Sequence, residues 1–484
     1  SRRRAVLSAI GCVSYVRRRA ATRGSPQVAT TPRREGGRTT DASALAGTLD
    51  ARSERSDARP TTLLPWHQLL AISVYWFGIN AVWGGYEIFG QHQVEALVGT
   101  GARGTVSGNI ELLAALVAIL VQPTVGTISD YTVSRWGRRK PYIFIGGVLD
   151  LVFIVAIATS QTILALTVFL LLLQFSSNFA QGPFQGYIPD LVPERQVGTA
   201  SGLLGFMRTL GVIGGAALVS TGGATGDYAT PFIAVGVIEL VLALLTVALV
   251  REGRAPRQRG GRSWLAVAGE AWGLDALRER AFLFMTATRL FFLMGPAVFV
   301  NVSLYYVRDA LDQSGAALTG WLTIGSALLA IGAAAGTLPG AALSNRFGRK
   351  PVIWASAAVS GLAILGLAWA PTPELAMPAV LLLGIGSGAY LAVDWALMTA
   401  CIPRIAAGRY MGLANIANSI SGPFAIFIAG RILDEVTRTA GLDAGPRVAI
   451  VTGIGFLVLG SLLLVRVRPP RREAPAAAST EAIP

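Results

Sequence analysis

From Leu64 onward the sequence alternates between apolar runs and short polar links. Each run is about 20 residues, the length a helix needs to cross a hydrocarbon core. The runs fall at 64–88, 105–129, 141–160, 162–186, 199–220, 230–250, 281–303, 317–341, 351–370, 375–399, 411–430 and 446–465. Backbone groups in lipid find no water to bond, so each run must satisfy its own N–H and C=O groups as a helix. Only 14% of residues are charged and 52% are hydrophobic, whereas soluble chains carry about a quarter charged. The expected fold is an all-α polytopic membrane protein with twelve transmembrane helices. Small residues such as Gly211, Gly214 and Gly215, or Ala333 to Gly336, predict close helix contacts.

Two motifs recur half a chain apart. The link Ser134-Arg135-Trp136-Gly137-Arg138-Arg139-Lys140-Pro141 follows the second run, with Asp130 at its entrance. Ser344-Asn345-Arg346-Phe347-Gly348-Arg349-Lys350-Pro351 follows the eighth, its glycine displaced by one position. Pro193, Gly198 and Gly202 after the fourth run likewise return as Pro403, Gly408 and Gly412 after the tenth, at the same offset. Two independent motifs at one offset predict a duplication, hence two pseudo-symmetric six-helix bundles. Parallel repeats of that kind place a solute site between the halves near the bilayer midplane.

Charge placement sets the expected orientation. Of the 41 Lys and Arg, only Arg103, Arg308, Arg431, Arg438 and Arg447 fall in loops on one side, and Arg208 and Arg289 fall inside runs. The remainder lie in the tails and opposite loops, so both termini are expected to be cytoplasmic and the chain to sit in the cell membrane among its lipids. The net charge of +14 is therefore read as orientation, not as a nucleic-acid surface. The expected divisions are a disordered Arg-rich cytoplasmic tail at 1–61, a bundle at 62–250, a cytoplasmic linker at 251–280, a bundle at 281–468 and a tail at 469–484. Within the linker, Trp264 to Leu277 could form an amphipathic helix on the inner surface. The chain opens on Ser1; its Arg-rich start resembles a transit peptide, but acidic residues from Glu35 onward favour a plain tail or a mis-set start.

The chemistry of other function classes is missing from the sequence. Cys12 and Cys401, like His67 and His92, are too few and too scattered for a metal site or disulfide framework. There is no phosphate-binding loop and no evident Ser/His/Asp set. No cofactor or metal, no enzymatic activity and a monomeric state are expected.

The six-plus-six duplication, with Asp130 and Arg135-Trp-Gly-Arg-Arg-Lys-Pro141 and its echo, resembles the major facilitator superfamily over about residues 62–468. Within it, Ser129-Asp130 through Tyr142 and Gln181-Gly-Pro-Phe-Gln185-Gly-Tyr-Ile-Pro-Asp190 resemble the glycoside–pentoside–hexuronide:cation symporters, nearest the sucrose/proton symporters and their bacterial relatives. That resemblance implies a secondary transporter of a sugar or glycoside, coupled to protons and working by alternating access. The alternative is a proton-coupled exporter of drugs or other small solutes. Plant sucrose symporters carry an Asp and an Arg where this chain has Gln174 and Gln185, so sucrose and its coupling do not carry over directly. Gln174, Ser176, Ser177, Asn178, Gln181 and Gln185 instead offer neutral hydrogen-bonding groups suited to a polyol.

Ionisable residues inside spans are costly and usually face a bundle interior. In the superfamily the first, fourth, seventh and tenth helices line the cavity. The expected solute-binding residues are Asn80, Trp83, Asn178, Gln181, Gln185, Arg289 and Tyr390. Asp394 is the first choice for proton coupling, with Glu111 second; for Asp394 an ion pair with Arg289 or Arg404 is the competing reading. Glu111 could equally pair with Arg208. Glu87 is expected near the external end of its helix, and Asp150 and Glu239 are expected to have packing partners. Asp130, Arg135, Gly137, Arg138, Arg139 and Lys140, with Arg346, Gly348 and Arg349 in the echo, are expected to form a cytoplasmic gate, a carboxylate–guanidinium latch between the halves.

Overall fold

The computed structural model describes residues 61–252, 261, 263–265, 269, 280–401 and 407–467. The expected tails and most of the linker at 251–280, including most of its amphipathic stretch, lie outside these, as does Arg404. Among the described residues there is no β-strand. The long helices are α1 (Tyr75–Val98), α2 (Arg103–Asp130), α3 (Lys140–Ala158), α4 (Ile163–Gln185), α5 (Val197–Ser220), α6 (Ala229–Leu249), α7 (Arg280–Tyr305), α8 (Gly315–Phe347), α9 (Arg349–Trp369), α10 (Pro373–Cys401), α11 (Ala407–Ala440) and α12 (Ala444–Arg466). Eleven of the described helices are long and apolar enough to cross a membrane.

The exception is α1, where the boundary also departs from the pattern of apolar residues. The apolar run begins near Leu64, but a short helix Trp66–Ala71 precedes α1 and is set off from it by a turn. At its other end α1 continues through Gln91, Gln93 and Glu95 to Val98. Those polar side chains are held by partners: Gln93 donates to the Ser160 carbonyl at 2.7 Å, and Glu95 pairs with arginines of both halves. Glu87 consequently sits mid-helix, not at the external end expected of it.

Packing repeats between the halves. The pairs α1–α5, α1–α6, α2–α4, α3–α4 and α3–α6 correspond to α7–α11, α7–α12, α8–α10, α9–α10 and α9–α12. Small residues allow the tightest of these approaches. A Cβ on Gly215 would lie 1.9 Å from the Ala81 carbonyl oxygen, and one on Gly388 1.9 Å from that of Ala333. Large apolar side chains such as Leu113, Leu116 and Leu120 on α2, or Val241, Leu244 and Leu245 on α6, face outward. An apolar exterior of this kind suits lipid as solvent.

The halves join through α2–α11 and α5–α8. Both contacts gather at the end of the molecule away from the basic hairpins. There Gly104 and Gly430 bring their backbones together so closely that a Cβ on Gly104 would lie 2.4 Å from the Gly430 oxygen. Thr319, at the start of α8, donates to the Ser220 carbonyl at 2.6 Å.

Candidate functional site

Between the halves lies a cavity of about 260 Å³, near the lower end of the few-hundred-Å³ range of small-molecule sites. Its walls are Trp76, Asn80 and Trp83 from α1, Gln122 from α2, Arg208 from α5, Asn418 and Ser419 from α11, and Gln174, Asn178, Gln181 and Gln185 from α4. The four α4 residues recur at helical spacing and so share one face. Gln122 donates to Gln181 at 3.0 Å and Asn178 to Gln174 at 3.0 Å, which fixes the amides against one another. Gln185, Arg208 and Asn418 reach solvent. Five of the expected solute-binding residues, Asn80, Trp83, Asn178, Gln181 and Gln185, therefore share this wall.

Arg289 and Tyr390 stand one layer behind it. Arg289, on α7, forms an ion pair with Asp394 of α10, and both side chains are almost fully buried. The second arm of Arg289 donates to Asn418 at 3.0 Å, and Tyr390 donates its hydroxyl to Asp394 at 2.8 Å while stacking on Phe292. The ion pair thus reaches the cavity through Asn418.

Glu111 does not meet Arg208. It faces a separate pocket of about 20 Å³, the size of a single water, lined also by Tyr86, Glu87, Gln91, Ser107 and Asn301. Asp150 and Glu239 have packing partners in the first half: Ser176 donates to Asp150, and Tyr75 donates to Glu239 at 3.4 Å.

The hairpin residues separate into several environments. Asp130 accepts from Arg139 at 2.9 Å; Arg139 also contacts Asp190 at 2.6 Å and the Pro183 carbonyl, and Arg138 pairs with Asp190. All these groups belong to the first half, so in this conformation the carboxylate–guanidinium contact does not bridge the halves. Glu252 completes the motif by accepting from the backbone N–H groups of Arg139 at 3.2 Å and Lys140 at 3.0 Å. A carboxylate there caps the positive end of α3. Gly137 has φ +114°, a conformation that side-chain-bearing residues rarely adopt, and a Cβ there would also push the end of the Glu252 side chain aside. Arg135 lies 6.0 Å from the centre of the Trp136 ring. In the echo, Gly348 has φ +88°, Arg349 opens α9, Arg346 lies over Phe347 and Lys350 reaches the Val465 carbonyl.

The far end holds a network that sequence reasoning missed. Arg103, fully buried, binds Glu95 at 2.9 Å and Asp309 at 2.6 Å and lies 4.0 Å from the Tyr305 ring. Arg308 binds the same Glu95 at 2.7 Å. Gln91 accepts from the Leu304 N–H at 3.1 Å, and its own carbonyl accepts from the Tyr305 hydroxyl at 2.7 Å. Asp434 of α11 receives the N–H groups of Gly104 at 2.9 Å and Thr105 at 2.7 Å, capping α2 from the opposite half. The signal available beforehand was Arg103 and Arg308 themselves, exceptions on the Arg-poor side of the chain.

The description "Major Facilitator Superfamily" matches residues 68–426 and 315–482. The chain belongs to the major facilitator superfamily. Its members are transporters, not enzymes, and among the described residues this chain has eleven helices long and apolar enough to cross a membrane. Among curated relatives it is 28% identical over 149 residues to the human membrane-associated transporter protein, covering 28% of this chain and 27% of that one. It is 33% identical over 132 residues to sucrose transport protein SUT1 of Oryza sativa subsp. japonica, covering 23% and 24%. These matches span about a quarter of each relative's length. Among solved structures, the nucleoside transporter NupG aligns with TM-score 0.65 at 15% identity, over 82% of this chain and 98% of that one. A bacterial homologue of the human lysosomal transporter Spinster aligns with TM-score 0.64 at 16% identity, over 82% and 95%. Both share the fold.

Proposed function

We propose that this transporter moves a sugar or glycoside, coupled to protons, by alternating access across the cell membrane with both termini in the cytoplasm. The observation that carries the substrate class is the α4 face of Gln174, Asn178, Gln181 and Gln185 opposite Trp76 and Trp83. Amides offer paired donors and acceptors that match vicinal hydroxyls, and indole rings offer flat apolar surface to the C–H face of a sugar. A wall so rich in amides suits a hydroxylated solute better than a lipophilic drug.

The hairpin end is cytoplasmic by the charge asymmetry of the loops. With the halves joined at the far end and the cavity residues reaching solvent, the conformation is inward-facing. Asp130, Arg138 and Arg139 then stand within their own half and are available to engage the other half when the cytoplasmic side closes. For coupling, a proton arriving at Asp394 removes the anion that holds Arg289. Arg289 then loses its fixed position, and with it the contact to Asn418 at the cavity wall. Glu111, in its water-sized pocket between α1, α2 and residues of the second half, is the second proton-accepting position.

The test is uptake of labelled mono- and disaccharides into proteoliposomes with and without an inward-directed pH gradient. Saturable uptake stimulated by the gradient is expected. Uptake of another solute class with no sugar transported would overturn the substrate assignment, and gradient-independent accumulation would overturn the coupling.

A further inference from the structure

Two carboxyl groups of the first half have no part in the cavity. Asp150 of α3 and Glu239 of α6 are 0% and 1% exposed and lie side by side within the bundle. Gly147, one turn before Asp150, opens the space between them: a Cβ there would meet Ala243 of α6 at 3.0 Å and the Tyr75 hydroxyl at 3.9 Å. Ser176 of α4 donates to one oxygen of Asp150, and Tyr75 of α1 donates to one oxygen of Glu239 at 3.4 Å. The other oxygen of each, Asp150 Oδ2 and Glu239 Oε2, is buried without a donor. Among the described residues no arginine, lysine or histidine acts on either carboxyl. Arg208 of α5 lies over Trp76 at the cavity instead.

The packing of the repeat does not require this chemistry. At the 210-residue offset, Asp150 and Ser176 correspond to Ser360 and Gly386. Those two also meet, since a Cβ on Gly386 would lie 2.3 Å from the Ser360 hydroxyl oxygen. The second half therefore makes the same helix contact with no carboxyl group. In the first half, two adjacent anions without a cation would repel one another and forfeit their hydration. One proton removes both penalties. The acid form then donates to its carboxylate neighbour, and the two oxygens that lack a donor become a single hydrogen bond. Ser176 and Tyr75, both donors, favour keeping the one remaining negative charge.

We infer that Asp150 and Glu239 hold one proton between them, a resident proton site that ties α3 to α6 inside the first half and stands apart from the solute cavity. Through Tyr75 and Ser176 the pair also reaches α1 and α4, so four of the helices of this half meet at one shared proton.

The experiment is infrared spectroscopy of the purified full chain at neutral pH. It reads the carbonyl band of protonated carboxyl groups in wild type minus the double variant Asp150→Asn with Glu239→Gln. A difference worth one carboxyl group is expected. Loss of two would make both acids neutral, and loss of none would leave both ionised; either result overturns the inference. The second measurement is the thermal unfolding midpoint against pH. A proton held by the folded protein and released on unfolding stabilises at low pH, and that stabilisation is lost as the pH rises. The wild-type midpoint should fall by at least about 2 °C from neutral to alkaline pH. The fall should be smaller in Asp150→Asn, in Glu239→Gln and in the double variant, whose amides donate to the neighbouring side chain without a bound proton. Any one of the three that folds is enough for the comparison. A flat wild-type profile, or an alkaline fall equal in wild type and variant, would overturn the inference.

Discussion

At the scale of single residues, the most constrained position is Gly137. Its positive φ is costly to any other residue by about 1–2 kcal/mol, and the Glu252 carboxylate occupies the space a side chain would need. Gly137→Ala should therefore loosen the cap on α3 and lower the thermal unfolding midpoint of the purified protein. An unchanged midpoint would show that the hairpin relaxes freely. Asp394 is constrained by its partners. Asp394→Asn keeps the shape and the Tyr390 contact but cannot change charge on proton uptake. The expected result is counterflow exchange at near wild-type rate with loss of gradient-driven accumulation; accumulation that survives would move the coupling site to Glu111. Single residues were also where sequence reasoning fell shortest. The sequence named Asn178, Gln181 and Gln185 among the solute-binding residues of the fourth run, and the structure places all three on the cavity wall. The sequence could not choose between Arg135 and Arg139 as the partner of Asp130, because a loop's path depends on Glu252 and Asp190, which lie far along the chain.

At the scale of elements, the contact of α2 with α11 holds the two halves together at the far end. Glycine on both sides lets the two backbones touch, and Asp434 supplies the anion that the first N–H groups of α2 lack. Losing a helix cap costs about 0.5–2 kcal/mol, and here all of it falls on the state in which the far end is shut. Asp434→Ala should then shift the conformational equilibrium about 2- to 30-fold toward the open far end. Labelling of a cysteine introduced at Thr105, in a background lacking Cys12 and Cys401, would report that shift as faster modification; an unchanged rate would mean the cap is not part of the gate. The elements themselves were legible from apolar length, and the late end of α1 has a physical cause. Helix α1 runs on through Gln91, Gln93 and Glu95 because partners on other helices satisfy them, which no hydropathy pattern reveals.

At the scale of the whole molecule, duplication was readable because the two hairpins and the two Pro–Gly–Gly motifs share an offset. The same packing pairs recur in each half. What the repeat could not disclose is the asymmetry built upon it. The first half carries the amide wall and Arg208, the second the Arg289–Asp394 ion pair, and Asn418 links them. On the proposed alternating-access reading, two rigid halves tilt to expose one cavity to alternate sides. Distances between spin labels test that most directly: Val133→Cys with Phe347→Cys at the hairpin end, and Thr100→Cys with Leu442→Cys at the far end, all exposed positions. They would be measured in protein lacking Cys12 and Cys401 but otherwise unaltered, and in the same background with Gly104→Trp, whose bulk the far-end contact cannot accommodate. Opening of the far end with simultaneous closing of the hairpin end in Gly104→Trp is the expected result; movement of one end alone, or of both in the same sense, would contradict alternating access about this cavity.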